Sequence, residues 1–269
     1  MNALSACTGA WLATFVVTAS AAVSISPAGD SVPENLLRIE LRLDVPLTRP
    51  LDMRRVALFD EHGVSIEAPF LDVALPSRDG LTVTVLMHPG RIKTGVAPNR
   101  ELGPALRAGE RVTLLVDDPQ LAAPIRKTWL VTVARRRVID PGAWRYTAPR
   151  AGSRSALDVA LEPPLASSAR DWIAVADERG NKLAGSVRLS ADETHWQFVP
   201  AAPWREGSYT LRVHPALEDA AGNRVCAPFE QQNLSRTDCD NDWQGRFDVS
   251  RSATRGQTEP TRAAAARRE

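Results

Sequence analysis

Asp238, Asp240 and Asp242 alternate along the stretch TDCDNDWQG. Alternate carboxylates can converge on one calcium ion. An EF-hand loop also wants glycine at its sixth position and glutamate at its twelfth, where this chain has Trp243 and Val249. The expectation is a solvated acidic loop, with calcium binding as the alternative and no metal assigned. The four histidines are scattered. His62 falls in a turn, His88 precedes Pro89-Gly90, and His195 opens a strand beside Trp196. His214 alternates outward from Tyr209, Leu211 and Val213. None shows the i, i+4 or cysteine spacing of a metal site, so all four read as ordinary surface or strand-end residues. No nucleophile elbow, P-loop or dinucleotide-binding glycine pattern is present. A pair of carboxylates for glycoside hydrolysis cannot be chosen without a cleft to hold it. The reading is a non-enzyme, with no catalytic residue and no cofactor. A hydrolase is the distant alternative, favoured if His195 proved to be poised against a carboxylate.

Two features could bind rather than react. Five tryptophans, Trp144, Trp172, Trp196, Trp204 and Trp243, lie in or beside the second half of the chain. An exposed indole can stack on a sugar ring. Trp172 and Trp196 sit at alternating strand positions and read as core; Trp204 and Trp243 lie near strand edges and remain candidates. The second feature is GRIKTGVAPNRELGPAL, residues 90–106, which carries Arg91, Lys93, Arg100 and Glu101 among glycines and prolines. Long loops on a β scaffold often carry function. The alternative is a packed elaboration that closes one end of a domain or braces a linker.

Those residues are set between strands. Leu37, Ile39, Leu41 and Leu43 share one face of LRIELRL, with Arg38, Glu40 and Arg42 on the other. The same two-residue period recurs at Leu81–Met87, Val112–Val116, Leu157–Leu161 and Tyr209–Val213. Short alternating runs bounded by Pro, Gly, Asp and Asn predict half-buried antiparallel strands. The fold class is all-β.

The chain also repeats. VALFDEHGVSI (56–66) matches IAVADERGNKL (173–183). LRAGERVTLLVDD (106–118) matches WREGSYTLRVHPALED (204–219), and KTWLVTV (127–133) matches QGRFDVS (244–250). Gly63 to Gly109 spans 46 positions, whereas Gly180 to Gly207 spans 27, which makes residues 90–106 an insertion in the first copy. Each copy has the size and strand count of an immunoglobulin-like sandwich. The predicted architecture is two tandem immunoglobulin-like β-sandwiches, residues 22–135 and 136–250. SPAGDSVPENLLRIELRLDVPL and YTLRVHPALEDAAGNRV resemble bacterial Ig-like domains of the S-layer SbsA type. The first copy departs from that pattern at its end, where LLVDDPQLAAPI lacks the Gly-Asn turn and leaves its last hairpin open. The resemblance implies a domain type but no ligand, because such domains serve as spacers, adhesion modules and enzyme appendages.

The ends bound location. Residues 1–21 carry no charged side chain and run from WLATFVV into Ala19-Ser20-Ala21, the order of a signal peptide. Cleavage near Ala21, lipidation at Cys7 within LSAC, and an uncleaved anchor are the three alternatives. Cys226 and Cys239 are the remaining cysteines and form a candidate disulfide. Residues 251–269 read as a disordered basic tail. A formal net charge of +1 gives no general field toward nucleic acid. No transmembrane span is expected once the leader is removed. The expected protein is an exported structural or adhesive module at the cell envelope. Its partner would be an unknown envelope protein or glycan, with a glycan- or protein-binding accessory unit as the alternative.

Overall fold

The computed structural model describes residues 23–93, 97–229, 241–252, 254–257 and 259–260. The first half forms eight strands in two sheets. They are β1 (Val23–Ser26), β2 (Ser31–Pro33), β3 (Arg38–Leu43), β4 (Val56–Phe59), β5 (Phe70–Pro76), β6 (Thr82–Met87), β7 (Arg111–Val116) and β8 (Ile125–Thr132). One sheet runs β1-β3-β6-β5 and the other β2-β8-β7-β4, with β2 parallel to β8 and the other pairs antiparallel. The sheet β1-β3-β6-β5 facing β4-β7-β8, with β2 added alongside β8, is the immunoglobulin arrangement. Inward residues Ile39, Leu41, Val85, Leu114 and Val131 close its core around Trp129. The last hairpin, open on sequence grounds, forms without Gly-Asn. Asp118 takes the amides of Gln120 and Asp52 and so builds the turn with a carboxylate.

The second half repeats the plan with β9 (Arg145–Ala148), β10 (Leu157–Ala160), β11 (Ile173–Ala176), β12 (Gly185–Leu189), β13 (His195–Pro200), β14 (Gly207–Val213) and β15 (Trp243–Val249). Its sheets are β12-β13-β10-β9 and β11-β14-β15, packed over Trp144, Trp196, Phe198, Trp204 and Leu211. The turns after β4 and β11 are near copies. Asp60 accepts the amides of His62 and Val64, and Asp177 those of Arg179 and Asn181. Gly63 and Gly180 follow at φ +77° and +81°, a region that side chains with a Cβ avoid. The molecule is thus a tandem of two immunoglobulin-like sandwiches.

The tail departs from expectation. β16 (Thr254–Gln257) adds to the edge of β9, and β17 (Glu259–Pro260) adds to β15. Backbone amides on an open edge recruit any extended segment, whatever its hydropathy. The disordered tail expected from residue 251 therefore does not begin there. The insertion folds as two short helices, α1 (Pro89–Ile92) and α2 (Ala97–Leu102), between β6 and β7.

Candidate functional site

The insertion supplies first of all a brace. Arg91 and Ile92 are buried, and the Arg91 carbonyl accepts the amide of Ala105. His88 caps α1, its Nδ1 accepting from the Gly90 amide. Burial pushes the Arg91 guanidinium down from its ordinary range, against the opposing charge of Glu67. Lys93 lies over the ring of Phe229, 5.2 Å from its centroid, so the insertion reaches the second half of the chain. Arg100 and Glu101 are exposed on α2.

The tryptophans redistribute. Trp204, a stacking candidate on sequence grounds, is 2% exposed. Its Nε1 donates to Ser155 O at 2.8 Å, and its ring meets Phe198, Tyr209 and Phe247 edge-on. No face of it is left for a sugar. Trp243 is half-buried against the same core. Trp172, expected inside, is 42% exposed and packs its ring on His214 at 4.6 Å. It ends a 3-10 turn (Ser167–Trp172) before β11 begins, and so escapes the strand alternation that suggested burial. Asp242 is committed to Arg212, accepting from Nε at 3.1 Å and Nη2 at 2.7 Å. Asp238, Asp240 and Cys239 lie outside the described residues, and among those described no cluster of three or more metal-ligating side chains occurs.

Sequence reasoning missed the junction between the sandwiches. Glu40 alternates onto the outward face of β3, yet it is 2% exposed because the second domain covers it. Ser167 Oγ donates to Glu40 Oε2 at 2.5 Å. Glu193, also buried and held at φ +62°, accepts the Ala28 amide at 3.0 Å. The repeat pattern YTLRVHPALEDAAGNRV ends on the same junction. Ala220 O accepts the Leu37 amide, Asn223 Nδ2 donates to Arg135 O, and Glu218 pairs with both Arg38 and Arg224. A cavity of about 90 Å³ remains between the domains, lined in part by Arg135, Leu165, Glu193 and Asp219.

Burial raises the Glu193 carboxyl above its ordinary value, and the nearby charge of Glu40 adds to this. Hydrogen bonds from Ser26 and Ala28 and the charge of Arg42 oppose it. Burial likewise raises Asp219 against the hydrogen bonds of its own turn. A carboxyl raised in the folded state holds its proton to higher pH than in the unfolded chain. Its stabilisation is therefore complete below the unfolded value and is lost as pH rises through the folded one. Thermal stability is expected to increase as pH falls from neutrality toward 5, and Glu193→Gln is expected to flatten that slope. A Glu193→Gln profile parallel to the parent's would remove Glu193 as the cause.

A second group was scattered in sequence and is assembled by strand pairing. His195 Nδ1 lies 2.8 Å from Asp158 Oδ1, and Gln197 Nε2 donates to Asp158 Oδ2 at 2.7 Å. The pair borders an open depression of about 750 Å³ shared with Arg145, Thr147 and Ala160. His195 is thus poised against a carboxylate, but on a solvated sheet face with neither serine nor cysteine lining it. Such a face orients an imidazole without excluding water, which is the setting of a binding patch more than of acyl transfer.

These features define a two-domain immunoglobulin-like protein with a buried polar junction. No family model matches the chain, and no curated protein matches it. Among solved structures, S-layer protein SbsC domains 5-6 aligns at 11% identity over 85% of this chain and 95% of that one, with a TM-score of 0.26. A chimeric titin Z1Z2 functionalized with a KLER exogenous peptide from decorin aligns at 15% identity over 73% and 91%, TM-score 0.26. Rst D1-D2 aligns at 10% over 80% and 91%, TM-score 0.22. Superpositions this loose add nothing to a fold that rests on strand order and register.

Proposed function

We propose that the chain is an exported, envelope-associated protein in which two SbsA-type immunoglobulin-like domains form a non-catalytic structural or adhesive module. The observation that supports this reading best is the junction. A spacer or adhesin must transmit position or load, and a buried interface between domains restricts hinge motion. Here the interface uses Leu37, Glu40 and Ala28 of one sandwich against Ala220, Ser167 and Glu193 of the other. We assign residues 1–21 to a signal peptide and 22–135 to the first domain. The second begins at 136 and runs on through the edge strands to Pro260. A Cys226–Cys239 disulfide closes the loop between β14 and β15. Among the described residues no helix is long and apolar enough to cross a membrane.

Small-angle scattering of residues 22–260 is expected to fit one fixed arrangement of the domains. A curve that requires an ensemble of hinge angles would count against the spacer reading. Intact mass after alkylation without reduction checks both the start at Ala22 and the closed disulfide. The accessory-module alternative draws support from Trp172, whose exposed ring sits beside His214. It requires that glycan capture from an envelope extract be lost in Trp172→Ala and kept in Trp243→Ala.

A further inference from the structure

We propose that the outward face of β9, β10 and β13 carries a binding site for an oxyanion, independent of any role of the domain junction. Register places the groups. Arg145 lies opposite Ala160, and Ala160 lies opposite His195; one row along, Thr147 lies opposite Asp158, and Asp158 opposite Gln197. All six side chains fall on the same outward face, because Tyr146, Val159 and Trp196 take the alternate, inward positions. Neighbouring strands are about 4.8 Å apart, so Arg145 and His195 stand roughly 10 Å from each other across the two spacings. The residue between them is alanine. The small side chain leaves the floor of the depression low, and two nitrogen-bearing side chains form its walls.

The imidazole is set in place rather than loose. Asp158 engages Nδ1, and Gln197 occupies the other carboxylate oxygen, so Asp158 is turned toward the ring and Nε2 is left for a ligand. In the protonated ring Nε2–H donates to an anion. Arg145 makes no ion pair among the described residues, and its guanidinium is exposed. A permanent cation and an oriented imidazole on either side of a shallow floor match a carboxylate or phosphate group, which accepts from both. Thr147 beside them offers a hydroxyl to the remainder of the ligand. Two sources share this chemistry: free inorganic phosphate, and the carboxylate of an acidic sugar.

The test is an amide and imidazole NMR titration of the intact chain with sodium phosphate and with sodium glucuronate. Glucose and sodium chloride serve as controls. Shifts are expected at residues 145–147, 158–160 and 195–197 with both anions and not with the controls. Losing a charge-assisted contact weakens binding by about tenfold or more, which is the expectation for Arg145→Ala and for His195→Ala. Arg145→Lys, which keeps the charge but not the fork, should fall between parent and alanine. Equal affinity for the two anions means that the site reads the oxyanion alone; tighter glucuronate means that the sugar ring is also held. The proposal is overturned if neither anion shifts these residues beyond the chloride control, or if the shifts persist in Arg145→Ala.

Discussion

Trp204→Ala is expected to cost the second sandwich about 3–5 kcal/mol, the range for removing a large aromatic from a packed core. The indole is buried among Phe198, Tyr209 and Phe247, with ring centroids 5.9, 5.1 and 6.3 Å away. Truncation leaves a cavity that those rings, themselves fixed on three different strands, cannot close. It also removes the 2.8 Å hydrogen bond that the indole donates to Ser155 O. The loss should appear as faster hydrogen exchange across β13, β14 and β15, while β3, β6 and β7 of the first domain keep their protection. Trp204→Phe should recover part of the loss, since it restores ring volume but not the donor. Trp243→Ala, at a half-buried position, should cost clearly less. If Trp204→Ala changed stability by under about 1 kcal/mol, the ring would not be a core residue and a stacking role would have to be reconsidered.

The difference between Trp204 and Trp172 shows where sequence reasoning reaches its limit. Two-residue alternation told which side of a strand a residue takes, and the repeat told which strands correspond, so the two sandwiches were legible in outline. Alternation says nothing of residues just beyond a strand, and both tryptophans lie there. Nor does it say what covers a face. Glu40 follows the outward pattern of Arg38 and Arg42 but is sealed by Ser167 of the neighbouring domain. Asp158 and His195 are 37 residues apart and meet only because β10 pairs with β13. Both strands were recognisable, and aligning them in register would have put those side chains on one face. The register itself was the missing quantity. The edge strands β16 and β17 carry no apolar pattern at all, since a backbone ladder needs none.

Gly222→Ala is expected to loosen the two sandwiches from each other, and Gly180→Ala, in the corresponding kind of turn elsewhere, is not. Both glycines sit near φ +80°, where an added Cβ costs roughly 1–2 kcal/mol of backbone strain. They differ in their surroundings. Nothing lies within 4 Å of a Cβ built on Gly180. On Gly222 it would collide with Leu37 Cδ1 of the first domain and come to 3.0 Å from Phe229 Cδ2. Leu37 is packed against the first core, so turning its side chain away from Gly222 gives up that packing, while its amide stays bound to Ala220 O one step along the same turn. Relief comes from turning Leu37 out of that packing or from moving the turn, which also carries the Asn223–Arg135 and Glu218–Arg38 contacts, and either change loosens the junction. The excess loss in Gly222→Ala over Gly180→Ala therefore measures the junction, with the shared strain subtracted. It should be of order 1–3 kcal/mol, as for other overpacked sites, and the scattering curve should broaden toward several domain angles. Gly180→Ala should leave the curve unchanged. Equal losses with equal curves would mean that the Gly-Asn turn merely ends a module. Unequal ones would make it the latch through which the second domain holds the first.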